Sequence, residues 1–146
     1  MCDIRLVTFS EHVPSIGHLL DAHFKELAFD FPMALSAEMY QSMENAGVLF
    51  SLAAFVDEQI VGYCTVAVLP YPFNPSIRFA HHDLLYVAQE HRNTGLGKAL
   101  ILRAEQEAKS LGVHRMSWGT HFGTLLTDQM ISHGYAPIDV VVIKEL

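Results

Sequence analysis

The fold is decided by residues 84–100, which read LLYVAQEHRNTGLGKAL. An apolar run leads into a short polar turn, and the spacing Arg92-x-x-Gly95-x-Gly97 then opens a helix. Two glycines at a helix start keep side chains away from backbone N–H groups that have no partner within the first turn. The helix dipole adds partial positive charge there, so the stretch predicts an anion site suited to a phosphate or pyrophosphate.

The rest of the composition is typical of one globular domain over residues 1–146. The chain is 51% hydrophobic and 17% charged, which excludes a disordered class. Its formal net charge of −7 argues against non-specific binding of nucleic acid, which depends on Lys and Arg. We expect a cytoplasmic protein with no membrane contact, because no apolar run is long enough to span one and the start lacks a signal-peptide layout.

Cysteine and histidine, the residues that most often bind metals, show no metal-binding pattern in this sequence. Cys2 and Cys64 are far apart, and Cys64 lies in an apolar run that predicts a buried hydrophobe rather than a nucleophile. His81 and His82 are adjacent, and neighbours on a strand point to opposite faces. We therefore expect no metal.

Hydrophobic periodicity predicts the element order β-α-α-β-β-β-α-β-α-β. The predicted strands are Ile4–Phe9, Val48–Val56, Ile60–Leu69, Arg78–Val87, Val113–Gly119 and Pro137–Lys144. The predicted helices begin near Pro14, at Ser36 (to Asn45), at Gly95 (to Ser110) and at Thr124 (to Ser132), while prolines predict a rigid loop over Pro70–Ser76. A helix between the fourth and fifth strands implies a parallel crossover, so the class is α/β (α+β), a mixed, mostly antiparallel twisted sheet flanked by helices.

Other phosphate motifs fit the glycine turn less well. Leu100 occupies the third glycine position of the dinucleotide fingerprint, and Ala99 follows Gly97-Lys98 where a P-loop has Ser or Thr. One alternative stays open, in which the glycines serve only tight packing of the helix on the sheet.

The Arg-x-x-Gly-x-Gly turn after a strand ending Leu-x-Val, within this element order, resembles the GCN5-related N-acetyltransferase (GNAT) family. The resemblance is strongest over Leu84–Gly112. It implies an acetyl-CoA-dependent N-acetyltransferase that moves an acetyl group to a primary amine by direct attack in a ternary complex. The cofactor-binding residues it implies are Leu85, Tyr86, Val87, Arg92, Asn93, Thr94, Gly95, Gly97 and Lys98.

The same resemblance implies a base on the strand before the turn. A base is needed because only on the order of one alkyl ammonium in a thousand is neutral at pH 7. His81 and Asp83 are the candidates, and strict alternation places both on the strand face of Leu85 and Val87, with His82 on the other. The Leu85 N–H is the implied donor to the thioester oxygen.

The general acid departs from the family pattern. Met130 stands at the position of the family's tyrosine and cannot donate a proton. Three alternatives remain: the thiolate leaves without an acid, His121 donates, or a water does. Met130 also keeps a second function open, a non-catalytic acyl-CoA-binding or regulatory module of the same fold. The acceptor is a small-molecule, peptide or protein amine, and the chain is a monomer or homodimer.

Overall fold

The computed structural model describes residues 2–120 and 123–146, and within them five strands form one sheet in the order β1-β2-β3-β4-β5. The strands are β1 (Cys2–Val7), β2 (Leu49–Val56), β3 (Gln59–Tyr71), β4 (Asn74–Val87) and β5 (Arg115–Ser117). The helices are α1 (Phe9–His12), α2 (Gly17–Leu27), α3 (Ala37–Asn45), α4 (Leu96–Ser110) and α5 (Leu125–Ser132), with 3-10 turns at Val13–Ser15 and Gln89–His91.

The strand pairing confirms the predicted fold class. Strands β1 to β4 pair antiparallel, whereas β4 and β5 pair parallel, with α4 crossing between them. The β2–β3 hairpin turns on Asp57 and Glu58, whose φ angles of 49° and 61° are both left-handed. Two successive left-handed residues make the turn that suits the right-handed twist of a hairpin, here without a glycine.

The sheet buries one apolar cluster on each face. The cluster under α4 includes Val66, Ala80 and Leu100, and the cluster under α1, α2 and α3 includes Leu20 and Tyr63. Burial is complete at these positions apart from trace exposure at Leu20. The two faces are therefore distinct environments, and the side to which a β4 residue points decides what it contacts.

Two local predictions about helix starts and cysteine are confirmed. Ser36 is the N-cap of α3, and its hydroxyl accepts a hydrogen bond from the Met39 N–H at 3.2 Å. Cys64 is fully buried, and burial raises the pKa of its thiol, so it remains an unreactive thiol.

The prediction that Pro70–Ser76 is a loop outside the sheet is wrong. β3 continues through Tyr71 and β4 begins at Asn74, which leaves a two-residue turn. Pro70 and Pro75 are tolerated because this end of the hairpin extends past the pairing with β2 and β5, so a missing N–H costs no hydrogen bond to a third strand.

The predicted strand Pro137–Lys144 does not form either. Residues 135–146 have no regular structure, and from residue 136 onward every side chain is exposed. A sequence of strand-forming residues becomes a strand only when a neighbouring strand takes its hydrogen bonds, and the described chain provides none. At the other terminus the first strand ends at Val7, and Phe9 begins the additional helix α1 with its ring buried.

Candidate active site

The site lies where β4 and β5 separate. β5 pairs with β4 only from Phe79 to His81, while β4 runs on to Val87. A cavity of about 650 Å³ opens at this separation. It is lined by His23, Glu26 and Leu27 of α2, residues 82–87 of β4, Arg92, Asn93, Gly95, Gly97, Lys98 and Ile101 of the turn and α4, and Gly119, Thr120, Thr124, Leu125, Leu126 and Gln129.

Backbone groups of β4 face this cavity at alternate residues. The Leu84 N–H donates to the Thr65 hydroxyl of β3 at 3.0 Å, and the Ala88 N–H donates to a β3 carbonyl at 2.8 Å. Because successive N–H groups point to opposite edges of a strand, those of Leu85 and Val87 point away from β3, toward the opening. Both belong to the predicted cofactor-binding set.

A β-bulge at Asp83 changes the side-chain pattern of β4. Thr65 of β3 pairs with Leu84, and the next β3 residue, Val66, pairs with His82, so Asp83 has no partner of its own in the ladder. The extra residue shifts the alternation by one position. His82 therefore lies on the α4 face of the sheet, and Asp83 on the α1–α3 face, which reverses the arrangement that strict alternation predicted.

Asp83 is held at the cavity wall by two hydroxyl groups. The Tyr40 hydroxyl of α3 and the Thr65 hydroxyl both donate to Asp83 Oδ2, the second over 3.0 Å. Burial and the bond to Asp83 raise the pKa of Tyr40 above its ordinary value, so the phenol stays protonated and remains a donor. The carboxylate is thus a fixed negative charge that lines the cavity.

The two adjacent histidines of β4 have different surroundings. His82 lines the cavity, stacks on Trp118 with ring centroids 5.2 Å apart, and accepts the Gly119 N–H at Nδ1 over 2.9 Å. Burial lowers the pKa of His82 to about 4, so the ring is neutral near pH 7 and its proton is assigned to Nε2. His81 is exposed beside the cavity, and its Nδ1 lies 2.7 Å from the Ser117 hydroxyl.

Arg92 ties the turn to the rest of the domain. Its Nε donates to the Val87 carbonyl at 2.9 Å, and its Nη2 lies 2.8 Å from each carboxylate oxygen of Glu26 on α2. Its guanidinium lies 5.3 Å from the centre of the Tyr86 ring, and its own N–H donates to the Gln89 carbonyl. Arg92 therefore fixes the position of the turn, and it also lines the cavity. Its role in the anion cradle stays a prediction.

The two glycines of the turn differ in backbone conformation and surroundings. Gly95, the N-cap of α4, has φ 86°, a conformation that strains other residues. Gly97 lies inside α4 with no left-handed φ, and a Cβ placed there would meet only a methyl of Val87, at 4.0 Å. Tight packing of helix on sheet therefore does not explain Gly97. The space beside it opens into the cavity, next to N–H groups of a first helical turn.

His23 is a site residue that the sequence analysis did not single out for function. It is 5% exposed, its Nδ1 lies 2.8 Å from the Tyr63 hydroxyl, and its ring stacks on Tyr86 at 4.8 Å. Burial lowers its pKa to about 4. In the sequence, His23 is recognisable only as a polar residue on the apolar face of α2.

The remaining predicted residues contribute less to the site. His121 lies outside the described residues. Met130 is 4% exposed within α5, and Tyr86 lines the cavity although its main chain is in phase with the β3-facing residues. Within residues 2–120 and 123–146 no cluster of three His, Cys, Asp or Glu is placed to hold a metal ion. No helix of that part is both long and apolar enough for a bilayer crossing.

A mixed sheet whose strands separate beside a glycine-rich helix start is the architecture of a class of acyltransferases that use acetyl-CoA. A family profile described as "Acetyltransferase (GNAT) family" matches residues 16–132. The chain belongs to this family, as the resemblance of its glycine turn implied. A sequence comparison with curated proteins finds no match to the chain.

Solved structures of acetyltransferases share the fold over almost the whole chain. A ribosomal-protein-alanine N-acetyltransferase from Brucella melitensis biovar Abortus 2308 has a TM-score of 0.76 and 20% identity, covering 99% of this chain and 98% of that one. An aminoglycoside acetyltransferase from an uncultured soil metagenomic sample has a TM-score of 0.79 and 18% identity, covering 99% of this chain and 95% of that one. A predicted acetyltransferase with acetyl-CoA from Clostridium acetobutylicum has a TM-score of 0.78 and 15% identity, covering 99% of this chain and 96% of that one.

Proposed function

We propose that the chain is an acetyl-CoA-dependent N-acetyltransferase that moves an acetyl group to a primary amine by direct attack in a ternary complex. The observation that carries the proposal is Gly97, a glycine that neither packing nor backbone conformation requires. A side chain at position 97 would fill the space between the first turn of α4 and the cavity, and glycine leaves that space open. An anion that accepts hydrogen bonds from those N–H groups makes use of that space.

The chain's own groups suggest how the cofactor would be held. The N–H groups of residues 93–98 would bind the pyrophosphate, with the exposed ammonium of Lys98 adding positive charge at the cavity wall. Main-chain groups of Leu85 and Val87 would pair with the pantetheine arm as an added strand does. Acetyl-CoA would supply the activated thioester. The Leu85 N–H, which points to the open edge, would donate to the oxygen that gains negative charge.

Asp83 is the group best placed to bind the acceptor amine and take its proton. Both of its hydroxyl donors bond Oδ2, and among the described residues no donor bonds Oδ1. A carboxylate oxygen on the cavity wall attracts an ammonium and can accept a proton from it. His82 is a poorer base because its Nδ1 already accepts the Gly119 N–H. His81, exposed at the edge of the opening, is the alternative base.

The absence of a tyrosine at Met130 is compatible with turnover. The departing group is a thiolate, and ordinary thiols have a pKa of roughly 8.5, so protonation during departure contributes little. We propose His121 as the proton donor to the thiolate where a donor acts. The acceptor is a small-molecule, peptide or protein amine, and fold neighbours named for an aminoglycoside and a ribosomal protein support both sources. The carboxylate of Asp83 on the cavity wall favours a cationic acceptor.

The test uses one substitution at two glycines. Gly97→Ala should weaken acetyl-CoA binding by about tenfold or more, since the methyl occupies space needed by the ligand. Gly17→Ala is the control, because an added Cβ at Gly17 meets no atom within 4 Å and Gly17 lies at the start of α2, outside the cavity lining. Calorimetric titration measures binding. Both variants should melt at or above the wild-type temperature, because alanine favours a helix more than glycine does. Wild-type affinity in Gly97→Ala would contradict the proposal.

Turnover separates the enzyme from a binding module of the same fold. Thiol release is measured over a panel of amines that includes aminoglycosides, polyamines, amino acids and peptides with free N-termini. We expect acetyl-CoA-dependent release with at least one of them. Tight acetyl-CoA binding with a flat response over the whole panel would favour the non-catalytic module instead.

A further inference from the structure

His23 presents a polar atom without a partner to the cavity. The side chain lines the cavity from α2 although it is almost entirely buried. Its Nδ1 is bonded to the Tyr63 hydroxyl, whereas its Nε2 bonds no group of the described residues. Among those residues, the sealed side-chain polar atoms without a partner are Ser51 Oγ and Trp118 Nε1, so Nε2 of His23 is open to the cavity. A buried side chain with such an atom has a hydrogen bond left for a ligand.

The Tyr63 hydroxyl decides which nitrogen of His23 carries the proton. Tyr63 is fully buried, and burial raises its pKa above the ordinary value, so the phenol keeps its hydrogen. In the described part of the chain, His23 Nδ1 is the acceptor that this hydrogen reaches. If Nδ1 were the donor instead, a buried phenol hydrogen would have no acceptor, which costs free energy. The proton of the neutral ring is therefore assigned to Nε2, and the open atom is a donor.

Aromatic packing holds this donor in one direction. The His23 ring stacks on Tyr86 with 22° between the planes, and it is tilted by 52° to the ring of Tyr63. The bond from Tyr63 fixes the remaining rotation, so Nε2–H keeps its direction before a ligand arrives. A preorganised donor loses little entropy on binding. It also discriminates against a ligand group that cannot accept its hydrogen.

His23 and Asp83 lie on the same side of the sheet. The helix α2 packs on the α1–α3 face, the bulge places Asp83 on that face, and both residues line the cavity. The N–H groups of Leu85 and Val87 point elsewhere, along the sheet toward the gap beside β5, where we propose that the pantetheine arm binds. His23 therefore lies on the side of the acceptor amine.

We propose that His23 selects the acceptor, because its Nε2–H donates a hydrogen bond to a neutral oxygen of the amine whose ammonium group Asp83 binds. The preferred acceptors are amines that also carry a hydroxyl or carbonyl oxygen, as amino alcohols do. An alkylamine leaves the donor without a partner. A diamine places against it a second ammonium, which has hydrogens and no lone pair. This role rests on the proposed function, since the amine acceptor comes from there.

Three amines that differ only at the end remote from the reacting nitrogen test the preference. Ethanolamine, ethylenediamine and propylamine carry a hydroxyl, an ammonium and a methyl group there, and longer homologues vary the spacing. Thiol release should give the best amino alcohol a kcat/KM about tenfold or more above the diamine and the alkylamine of equal length. A preference for diamines, or no preference at any length, overturns the proposal.

Two substitutions at His23 separate the N–H from the ring. In His23→Asn an amide atom replaces Nδ1 and nothing reaches the position of Nε2, so the preference should fall below about twofold. In His23→Gln the amide nitrogen reaches that position and should keep about threefold or more. His18→Asn, on an exposed position of the same helix, is the control and should keep the wild-type preference. An unchanged preference in His23→Asn, or an equal loss in both His23 variants, overturns the proposal.

Nitrogen NMR of isotope-labelled histidine tests the donor without turnover and in the wild-type protein. The proton of His23 should be on Nε2 at pH 7, and the best amino alcohol, added with coenzyme A present, should shift this resonance while the diamine does not. A proton on Nδ1, or a response to coenzyme A alone, overturns the proposal. A shift without thiol release from any amine would disprove the proposed function and leave the role of His23 standing. Thiol release without a shift would do the reverse.

Discussion

The β4–α4 turn and the C-terminal segment each behave against the composition of their sequence. The turn is polar and glycine-containing, as mobile loops are, yet Arg92 fastens it to β4 and α2, and the Thr94 hydroxyl donates to the His91 carbonyl at 2.7 Å. The segment 138–143 consists of strand formers, yet it is exposed. Whether each region has a defined structure depends on whether its backbone and side-chain polar groups find partners. The amino-acid composition of the region matters less.

The largest effect should follow from removing the charge that β4 presents to the cavity. Asp83→Asn keeps the shape of the side chain but gives an amide that takes up no proton, so kcat/KM should fall by about 10²–10³-fold. Thiol release under saturating acetyl-CoA measures the change. The neighbouring variant His81→Gln, which alters the bond to Ser117 outside the cavity, should lose less than about threefold. The reverse ranking would transfer the base role to His81 and weaken the importance of the bulge.

A smaller effect should appear in the free energy of unfolding when the pH is lowered, because His23 is buried beside the cavity. Burial lowers the pKa of His23 to about 4 in the folded protein, against 6.5 for the free side chain. The unfolded chain therefore binds a proton before the folded chain does. Stability should be complete above pH 6.5 and should fall as the pH drops toward 4, by on the order of 2 kcal/mol for this group. His82 adds to the loss in the same direction.

Denaturant unfolding at pH 7, 5.5 and 4.5 measures this loss. His23→Gln should flatten the decline, because the amide does not titrate. His18→Gln, on an exposed position of the same helix, should leave the decline at its wild-type slope. Equal slopes in all three proteins would show that the burial of His23 contributes nothing to acid sensitivity.

The smallest effect tests the fastening of the turn. Glu26→Gln should cost about 0.5–1 kcal/mol of stability, as expected for a partly exposed ion pair, and should weaken acetyl-CoA binding a few-fold because Arg92 no longer holds the turn against α2. The matched variant Glu107→Gln breaks the Arg103–Glu107 pair on α4, away from the cavity. It should cost similar stability in thermal unfolding and leave binding unchanged. Identical binding in both variants would show that the turn keeps its shape unaided.

The sequence predicted what is encoded locally. The Ser36 cap, the glycine turn and the helix after it depend on residues close together in the chain, so their patterns were sufficient. The bulge at Asp83 is different, because it arises from the register of β4 against β3 and leaves no pattern within β4 itself. The ties of Arg92 to Glu26 and of Asp83 to Tyr40 join residues distant in sequence. The strand predicted over Pro137–Lys144 failed for the same reason, since a strand needs a partner.

The unpaired Asp83 divides β4 into two parts whose side-chain alternation is independent. Residues before the bulge can change which way their side chains point without altering those after it, because the hydrogen-bonded ladder resumes at Leu84. Removing the insertion would exchange His82 and Asp83 between the two faces while the Leu85 amide kept its direction. The side chains that β4 presents to the acceptor are thereby separable from the proposed cofactor contacts of Leu85 and Val87.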